Sequence, residues 1–250
     1  MPSPDPLHIR FQGNLRELLH PRLRNRSSVG LHLREPASIK DVIESLRVPH
    51  PEVGIIEING EPVDFSRLVR GGEEVTVLPL PVPCPVLEPT LLRPHPLDRI
   101  AFLVDINAGK LGRLLRLAGF DTVLPSPGQE DGEIARTAVA QGRILLSRDR
   151  DLLKRSIIDF AHLVRAQDPW QQLAEILTLY GLKKQVDPFS RCLKCNTPLK
   201  PVTREQVLER LQPLTRKYYS RFAICPGCDK IYWQGSHHEK MLTRLQNILC

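Results

Sequence analysis

An α/β fold in three parts is predicted by three patterns in the sequence. Residues 7–80 run strand, strand, helix, strand, strand, the order of a β-grasp domain. From residue 99 onward strands and helices alternate, which calls for a parallel sheet flanked by helices. Two Cys-x-x-Cys pairs, Cys192/Cys195 and Cys225/Cys228, then mark a C-terminal zinc ribbon. The expected divisions are 1–80 (β-grasp domain), 81–98 (Pro-rich linker), 99–186 (α/β domain) and 187–250 (ribbon).

In the first part, Leu7–Phe11 and Val29–Leu33 alternate apolar and polar residues and read as strands. Ser38 is the expected N-cap of a helix whose apolar positions are Ile39, Val42, Ile43 and Leu46, stopped by Pro49 and Pro51. A strand over 55–58 enters an Asn59-Gly60 turn, and a last strand covers 74–80 after Gly71-Gly72. The segments 58–63 and 69–79 resemble ubiquitin-like sulfur-carrier proteins. A carrier needs a free Gly-Gly terminus, whereas this chain continues into Pro79–Pro85. The domain is therefore expected to bind a protein partner or to orient the rest of the chain. Seven prolines between 79 and 96 predict an extended, semi-rigid spacer, with Cys84 a bystander in it.

In the second part, the apolar run 101–104 is a buried strand that ends on Asp105. A helix follows over 110–118, with Leu111, Leu114, Leu115 and Ala118 as its core stripe and Gly119 at its C-terminus. Residues 121–124 form a short strand, and a second helix begins near Asp131-Gly132-Glu133. Ile144–Leu146 is the third strand, running into Ser147-Arg148-Asp149-Arg150-Asp151. A further strand is expected within 157–164, and then a helix with Asp168 as N-cap and Pro169 at its first position.

Ligands of open α/β sheets sit beyond the carboxyl ends of the strands. Asp105, Asp131, Asp149 and Asp151 all belong at that edge, and carboxylates gathered there repel one another unless a cation joins them. Mg²⁺ and Mn²⁺ prefer oxygen ligands and keep waters for chemistry, which suits phosphodiester hydrolysis. Plainer readings stand beside this one: Asp131 and Asp151 as helix caps, Asp149 as an exposed partner of its neighbouring arginines. Ser147 and Asn107 are candidates to support the acids. Arg113, Arg116, Arg148 and Arg150, with Lys154 and Arg155, are candidate phosphate holders, or a solvated face.

In the third part, the cysteine pairs are separated by 29 residues, within which 205–211 looks helical. Four thiolates close the tetrahedral shell of one Zn²⁺ and leave no place for a catalytic water, so the zinc is structural. Arg216, Lys217, Tyr218, Tyr219, Arg221, Phe222, Lys230, Tyr232 and Trp233 cluster here. They suit single-stranded nucleic acid through charge and stacking, or a small core around zinc. His237 and His238 are expected at the surface or against substrate, and Cys250 has no assigned role.

Net charge is +7 and unevenly spread: residues 1–90 carry 10 Lys/Arg against 12 Asp/Glu, and residues 91–250 carry 25 against 16. The surplus points to a polyanionic partner for the later segments. No stretch approaches the roughly 20 apolar residues of a membrane span, and no signal peptide opens the chain, so the expected location is cytoplasmic, without membrane association.

Phe102–Asp105, Gly109–Thr122 and Gly142–Leu152 resemble the Mut-seven C-terminal ribonuclease family, which belongs to the PIN-like nucleases. The similarity runs through the cysteine segment to about residue 240, and the N-terminal part resembles the ubiquitin-like domain often found ahead of it. Where many relatives have Thr, Ser147 keeps the hydroxyl. The resemblance implies a metal-dependent ribonuclease whose acids are Asp105, Asp131, Asp149 and Asp151. Some PIN-like domains bind without cutting, so a non-catalytic RNA-binding or RNA-processing adaptor is the alternative.

Overall fold

The computed structural model describes residues 5–249, so Cys250 lies outside the described residues. The first part is a five-stranded sheet built from β1 (Leu7–Phe11), β2 (Val29–Leu31), β4 (Val53–Ile58), β5 (Glu61–Pro62) and β7 (Glu74–Pro79). Its order is β2-β1-β7-β4-β5, with β1 and β7 parallel at the centre and the other pairs antiparallel. The β4–β5 hairpin turns on Asn59 and Gly60, both at positive φ (52° and 88°), as a two-residue turn requires. Two short strands, β3 (Ala37–Ser38) and β6 (Leu68–Val69), pair beside it. Helix α1 (Ile39–Ser45) lays Ile39, Val42 and Ile43 into the core, and Ser38 Oγ accepts from the Asp41 N–H as its cap. A 3₁₀ turn at Gly13–Leu18, which has no clear sequence signature, adds Leu15 and Leu18 to the same core.

The second part runs β8 (Phe102–Val104), α2 (Gly109–Leu117), β9 (Thr122–Val123), α3 (Asp131–Ala140), β10 (Ile144–Ser147), α4 (Arg150–Leu153), β11 (Ala161–Leu163) and α5 (Pro169–Leu179). The four strands are all parallel in the order β11-β10-β8-β9. Phe102–Val104 of β8 and Ile144–Leu146 of β10 are apolar throughout because both faces are covered. Phe102, Val104, Ile144 and Leu146 pack with Leu111 and Leu115 of α2 and Leu173, Ile176 and Leu177 of α5. Leu103 and Leu145 join a different cluster, with Ile134 of α3, Leu152 of α4 and the core of the N-terminal sheet. Helix α2 ends at Gly119, where φ is +97° and a Cβ would stand 2.5 Å from the Asp187 carbonyl oxygen. Asp168 caps α5 by accepting from the Trp170 and Gln171 N–H groups.

The Pro-rich segment is not a spacer. Val86 and Leu92 are buried, the Cys84 N–H donates to the Leu179 carbonyl, and Leu97 N–H donates to Val86. Arg93 is the reason the segment cannot swing free. Its guanidinium, 8% exposed, donates to the carbonyls of Pro51, Val53 and Asp159, so it ties the first part to the second. A buried guanidinium needs such a set of acceptors, and leaving the site would strip the buried Pro51 and Val53 carbonyls of this donor.

A buried ionic network crosses the same junction. Glu52, 3% exposed, accepts from the Leu163 N–H (2.8 Å) and from Arg165 Nη2 (2.7 Å). His162 stands between two carboxylates, with Nδ1 2.9 Å from Glu52 Oε1, off the hydrogen-bond direction, and Nε2 2.8 Å from Glu175 Oε1. Burial alone would neutralise His162, but Glu52 and Glu175 outweigh it and push its pKa up to about 9. Burial would likewise raise Glu52, yet His162 and Arg165 bring it down to about 2. The His162 contribution is therefore complete below its ordinary value of 6.5 and is lost as pH rises through about 9. The Glu52 contribution is complete above 4.5 and is lost as pH falls through about 2. The urea midpoint is expected to fall between neutral pH and pH values above the His162 pKa. His162→Gln should flatten that alkaline decline, and an equal decline in the variant would place its cause elsewhere.

The third part is a three-stranded antiparallel sheet, β12 (Lys200–Val202), β13 (Phe222–Ile224) and β14 (Ile231–Trp233), in the order β12-β13-β14. The helical segment expected between the cysteine pairs is α6 (Arg204–Val207) followed by a 3₁₀ turn at Leu208–Arg210, and α7 (Pro213–Tyr218) adds a second helix. The last helix, α8 (Ser236–Leu249), packs back on α5, with Leu245 fully buried in the second part's core.

Candidate metal and nucleic-acid sites

The strand order places a topological switch point between β8 and β10. From β8 the chain turns to β9 on one side, and from β10 it turns to β11 on the other. Open α/β sheets place their ligands at the carboxyl ends of the strands beside such a point. Asp105 leaves β8 there, and Ser147 through Asp149 leave β10 beside it.

Asp105 is 5% exposed. Its Oδ1 accepts from the Ile106 N–H at 2.6 Å, and its Oδ2 accepts from Asn107 Nδ2 at 3.2 Å and Ser147 Oγ at 2.9 Å. Ser147 Oγ also accepts from the Asp149 N–H at 2.9 Å. One fully buried hydroxyl thus links the Asp105 carboxylate to the Asp149 backbone N–H, and Asn107 and Ser147 both donate to Asp105. Asp149 Oδ1 caps α4 by accepting from the Asp151 and Leu152 N–H groups, at 2.8 and 3.4 Å. Asp149, rather than Asp151, is therefore the helix cap, and it is not an ion-pair partner of its neighbouring arginines. Among the described residues, neither Asp105 nor Asp149 has a Lys, Arg or His nitrogen within 4.0 Å.

Asp131 opens α3, with Glu130 at the cap position, and α3 packs on α4 and β10. The Asp151 side chain is 93% exposed, 4.0 Å from Lys154 Nζ. Neither side chain is hydrogen-bonded to the Asp105–Ser147–Asp149 chain, which Asp151 meets through its backbone N–H alone.

Two of the four arginines expected to hold phosphate have other work. Arg116 is 5% exposed and donates to the carbonyls of Thr122, Leu193 and Lys194, which pins the first cysteine knuckle to β9. Arg150 Nη1 donates to the Leu18 carbonyl of the N-terminal part. Both read as surface cations from sequence because the surfaces that cover them are distant in the chain. Arg113 is exposed, and Arg148 donates only to Gln167 Oε1.

Ser147→Ala is expected to keep the fold and to lower any activity of the Asp105/Asp149 pair by roughly 10- to 100-fold, as loss of a ligand-orienting partner does. Ser147→Thr keeps the hydroxyl and should retain most of it. Equal activity in all three proteins, read in a cleavage assay, would remove Ser147 from the site.

The four cysteines form a group whose Sγ atoms all lie within 4.8 Å of one another. Cys192 and Cys228 are 3.6 Å apart, and Cys195 and Cys225 are 3.3 Å apart. Thiolates at about 2.3 Å around one tetrahedral ion would be separated by about 3.8 Å, so the cluster fits a single Zn²⁺ with little adjustment. The knuckles are built alike. Cys192 and Cys225 donate their N–H groups to Thr197 and Lys230, and accept from the N–H groups of Asn196 and Asp229. Asn196 and Asp229 take left-handed φ values of 71° and 58°, which Asn and Asp tolerate best among residues with a Cβ.

Asn196 then does more than turn the chain. Its Nδ2 donates to Asp121 Oδ1 at 2.8 Å, and its Oδ1 accepts from the Thr122 N–H at 3.0 Å. Asp121 also pairs with Arg99 (2.6 Å) and Arg143 (2.8 Å), and these donors outweigh burial and hold its carboxyl well below the usual range. Sequence reasoning passed over Asp121 and Asn196. The matching positions of Asn196 and Asp229, each directly after a second cysteine, were the available signal.

The basic and aromatic cluster divides. Phe222 is core, with Val207 and Leu211. The Tyr232 hydroxyl lies 3.1 Å from Cys192 Sγ and supports the knuckle. Tyr218 is 65% and Trp233 42% exposed. His238 stacks on Phe189, and burial moves its pKa down.

The family model of the Mut7-C RNAse domain matches residues 100–245, and that of the Mut7-C ubiquitin domain matches residues 5–84. The chain belongs to the Mut7-C RNAse family. In this Mut7-C protein the matched RNAse region spans both the parallel sheet and the ribbon, consistent with the way Arg116 and Asn196 join them. The ubiquitin-like match covers the five-stranded sheet. No curated protein matches the chain. Among the described residues, no helix is long and apolar enough to cross a membrane.

Proposed function

We propose that this protein is a divalent-metal-dependent ribonuclease with a PIN-like site at the β8/β10 switch point and a structural zinc. The observation that carries the reading is the Asp105–Ser147–Asp149 chain: two acids at the sheet's switch point, the Asp105 carboxylate joined through a buried hydroxyl to the Asp149 N–H, with no protein cation beside either carboxylate among the described residues. The donor set, carboxylate oxygen from a buried Asp105 and a half-buried Asp149, suits Mg²⁺ or Mn²⁺, which one or two carboxylates commonly hold. When bound, such an ion supplies charge stabilisation to the phosphate and a water acidic enough to attack it.

Asp105 would be the fixed ligand, because three donors hold both its oxygens in place. Asp149 would present Oδ2, since its Oδ1 is engaged in capping α4. Ser147 would order the Asp105 carboxylate directly and Asp149 through its backbone N–H. Asp131 and Asp151 would act from the rim, orienting water or a second ion, with Asp151 the freer of the two. Arg148 and Arg113 are the remaining candidates for phosphate oxygens. The ubiquitin-like domain would serve first to cover the α3/α4 face of the sheet, and any protein partner would dock on its outer surface.

The test is hydrolysis of end-labelled single-stranded RNA by the zinc-loaded chain. Turnover is expected with Mg²⁺ or Mn²⁺ and none with both withheld. Salt-sensitive RNA binding without turnover in any divalent ion would overturn the reading in favour of an adaptor.

A further inference from the structure

The face formed by β13 and β14, together with the first turn of α8, encloses an open groove of about 760 Å³. Its lining contains none of Asp105, Ser147 and Asp149. Three features show a built surface rather than a gap in packing.

The first is Phe189. Its φ is +61°, a conformation bulky residues rarely adopt, and its N–H donates to the Leu117 carbonyl at the end of α2. Held this way, its ring stacks on His238 with centroids 3.8 Å apart and planes 23° from parallel. The second is the wall made by Tyr219 and Trp233. Gly235 makes room for it, since a Cβ there would lie 3.1 Å from Trp233 Nε1 and 3.4 Å from Tyr219 Cζ. The third is charge. Arg221 and Lys230 are exposed on the lining, His237 joins them, and no Asp or Glu lines the groove.

Flat aromatic faces with cations and no acids match a nucleobase attached to a phosphate. An apolar helix would find no use for the cations, and a duplex keeps its base faces stacked and out of reach. We propose that this groove is a nucleotide subsite that takes unstacked bases of single-stranded RNA, with Arg221 and Lys230 on the backbone. The proposal rests on the ribonuclease reading for its choice of RNA. Helix α2 relates the two sites: it starts just after Asp105 and ends at the carbonyl that holds Phe189. Nine residues at a rise of about 1.5 Å give about 13 Å.

The experiment uses the full-length zinc-loaded chain without added Mg²⁺ or Mn²⁺, and a labelled single-stranded RNA oligonucleotide with its duplex as comparison. Binding is read by anisotropy and by indole emission, Trp170 and Trp233 being the two tryptophans. Single-stranded RNA is expected to quench the emission. Trp233→Ala should weaken single-strand affinity about tenfold or more, with little effect on the duplex. Trp233→Phe should keep most of the affinity and lose the quench. Zinc content is measured in each variant, and Trp233→Ala with full zinc and wild-type affinity overturns the subsite. The two readings separate cleanly. If Trp233→Ala binds normally while Asp149→Asn stops cleavage, the groove falls and the nuclease stands. If Asp149→Asn cleaves normally while Trp233→Ala binds weakly, the nuclease site falls and the groove stands.

Discussion

Asp149→Asn is expected to lower metal-dependent RNA cleavage by about 10²- to 10³-fold while leaving stability nearly unchanged. The rate loss follows from removing one of two carboxylates that would hold the ion, a change worth several kcal/mol of transition-state stabilisation at about 1.4 kcal/mol per factor of ten. Stability is spared because the amide oxygen of Asn can still accept from the Asp151 and Leu152 N–H groups, and Asn is as good an N-cap as Asp. Asp105→Asn should be equally inactive but less stable. Both Asp105 oxygens receive donors, and one of them would become an NH₂ group facing Asn107 Nδ2 and the Ser147 hydroxyl. Asp151→Asn, at a fully solvated position, should cost much less. Steady-state cleavage and thermal unfolding of the three variants check the ranking. Full activity in Asp105→Asn and Asp149→Asn together would mean that the switch-point acids are not the site.

Cys225→Ser is expected to remove one zinc per chain and to unfold the ribbon. The apolar core there consists of Val207, Leu211 and Phe222, too little to hold three short strands without another source of stability. A structural zinc supplies about 10–16 kcal/mol in small peptides, which exceeds what that core contributes. The damage should spread. The first knuckle carries Asn196 and the Leu193 and Lys194 carbonyls, so its collapse would take from Arg116 two of its three acceptors and from Asp121 one of its donors. Zinc release on thiol modification and hydrogen exchange at the Cys192 and Cys225 amides measure both effects. Stoichiometric zinc with normal ribbon protection in Cys225→Ser would sink the prediction.

Some of this was readable in advance because it rests on neighbours in the chain. The Ser38 and Asp168 caps, the Asn59-Gly60 turn and the apolar runs of β8 and β10 are local signals, and each formed where its pattern stood. The cysteine spacing belongs to the same class, since two knuckles need only a tetrahedral meeting point. The Pro-rich segment misled because proline content reports stiffness, not burial. Only Arg93, with acceptors 40 and more residues away, turned it into a clamp.

The acids illustrate the division most clearly. Chain order alone placed Asp105 and Asp149 at strand ends, because an apolar run followed by a carboxylate can hardly read otherwise. Strand order decided what Asp105 touches: β8 and β10 are neighbours, so the Ser147 hydroxyl joins the Asp105 carboxylate to the Asp149 N–H, while the Asp131 and Asp151 side chains stay outside that chain. The arginines obey the same physics in reverse. Charge and spacing made Arg113, Arg116, Arg148 and Arg150 equivalent in sequence, and burial against distant carbonyls separated them. Local geometry is written in adjacent residues, whereas contacts between residues far apart in the chain exist only once the sheets and the ribbon have packed.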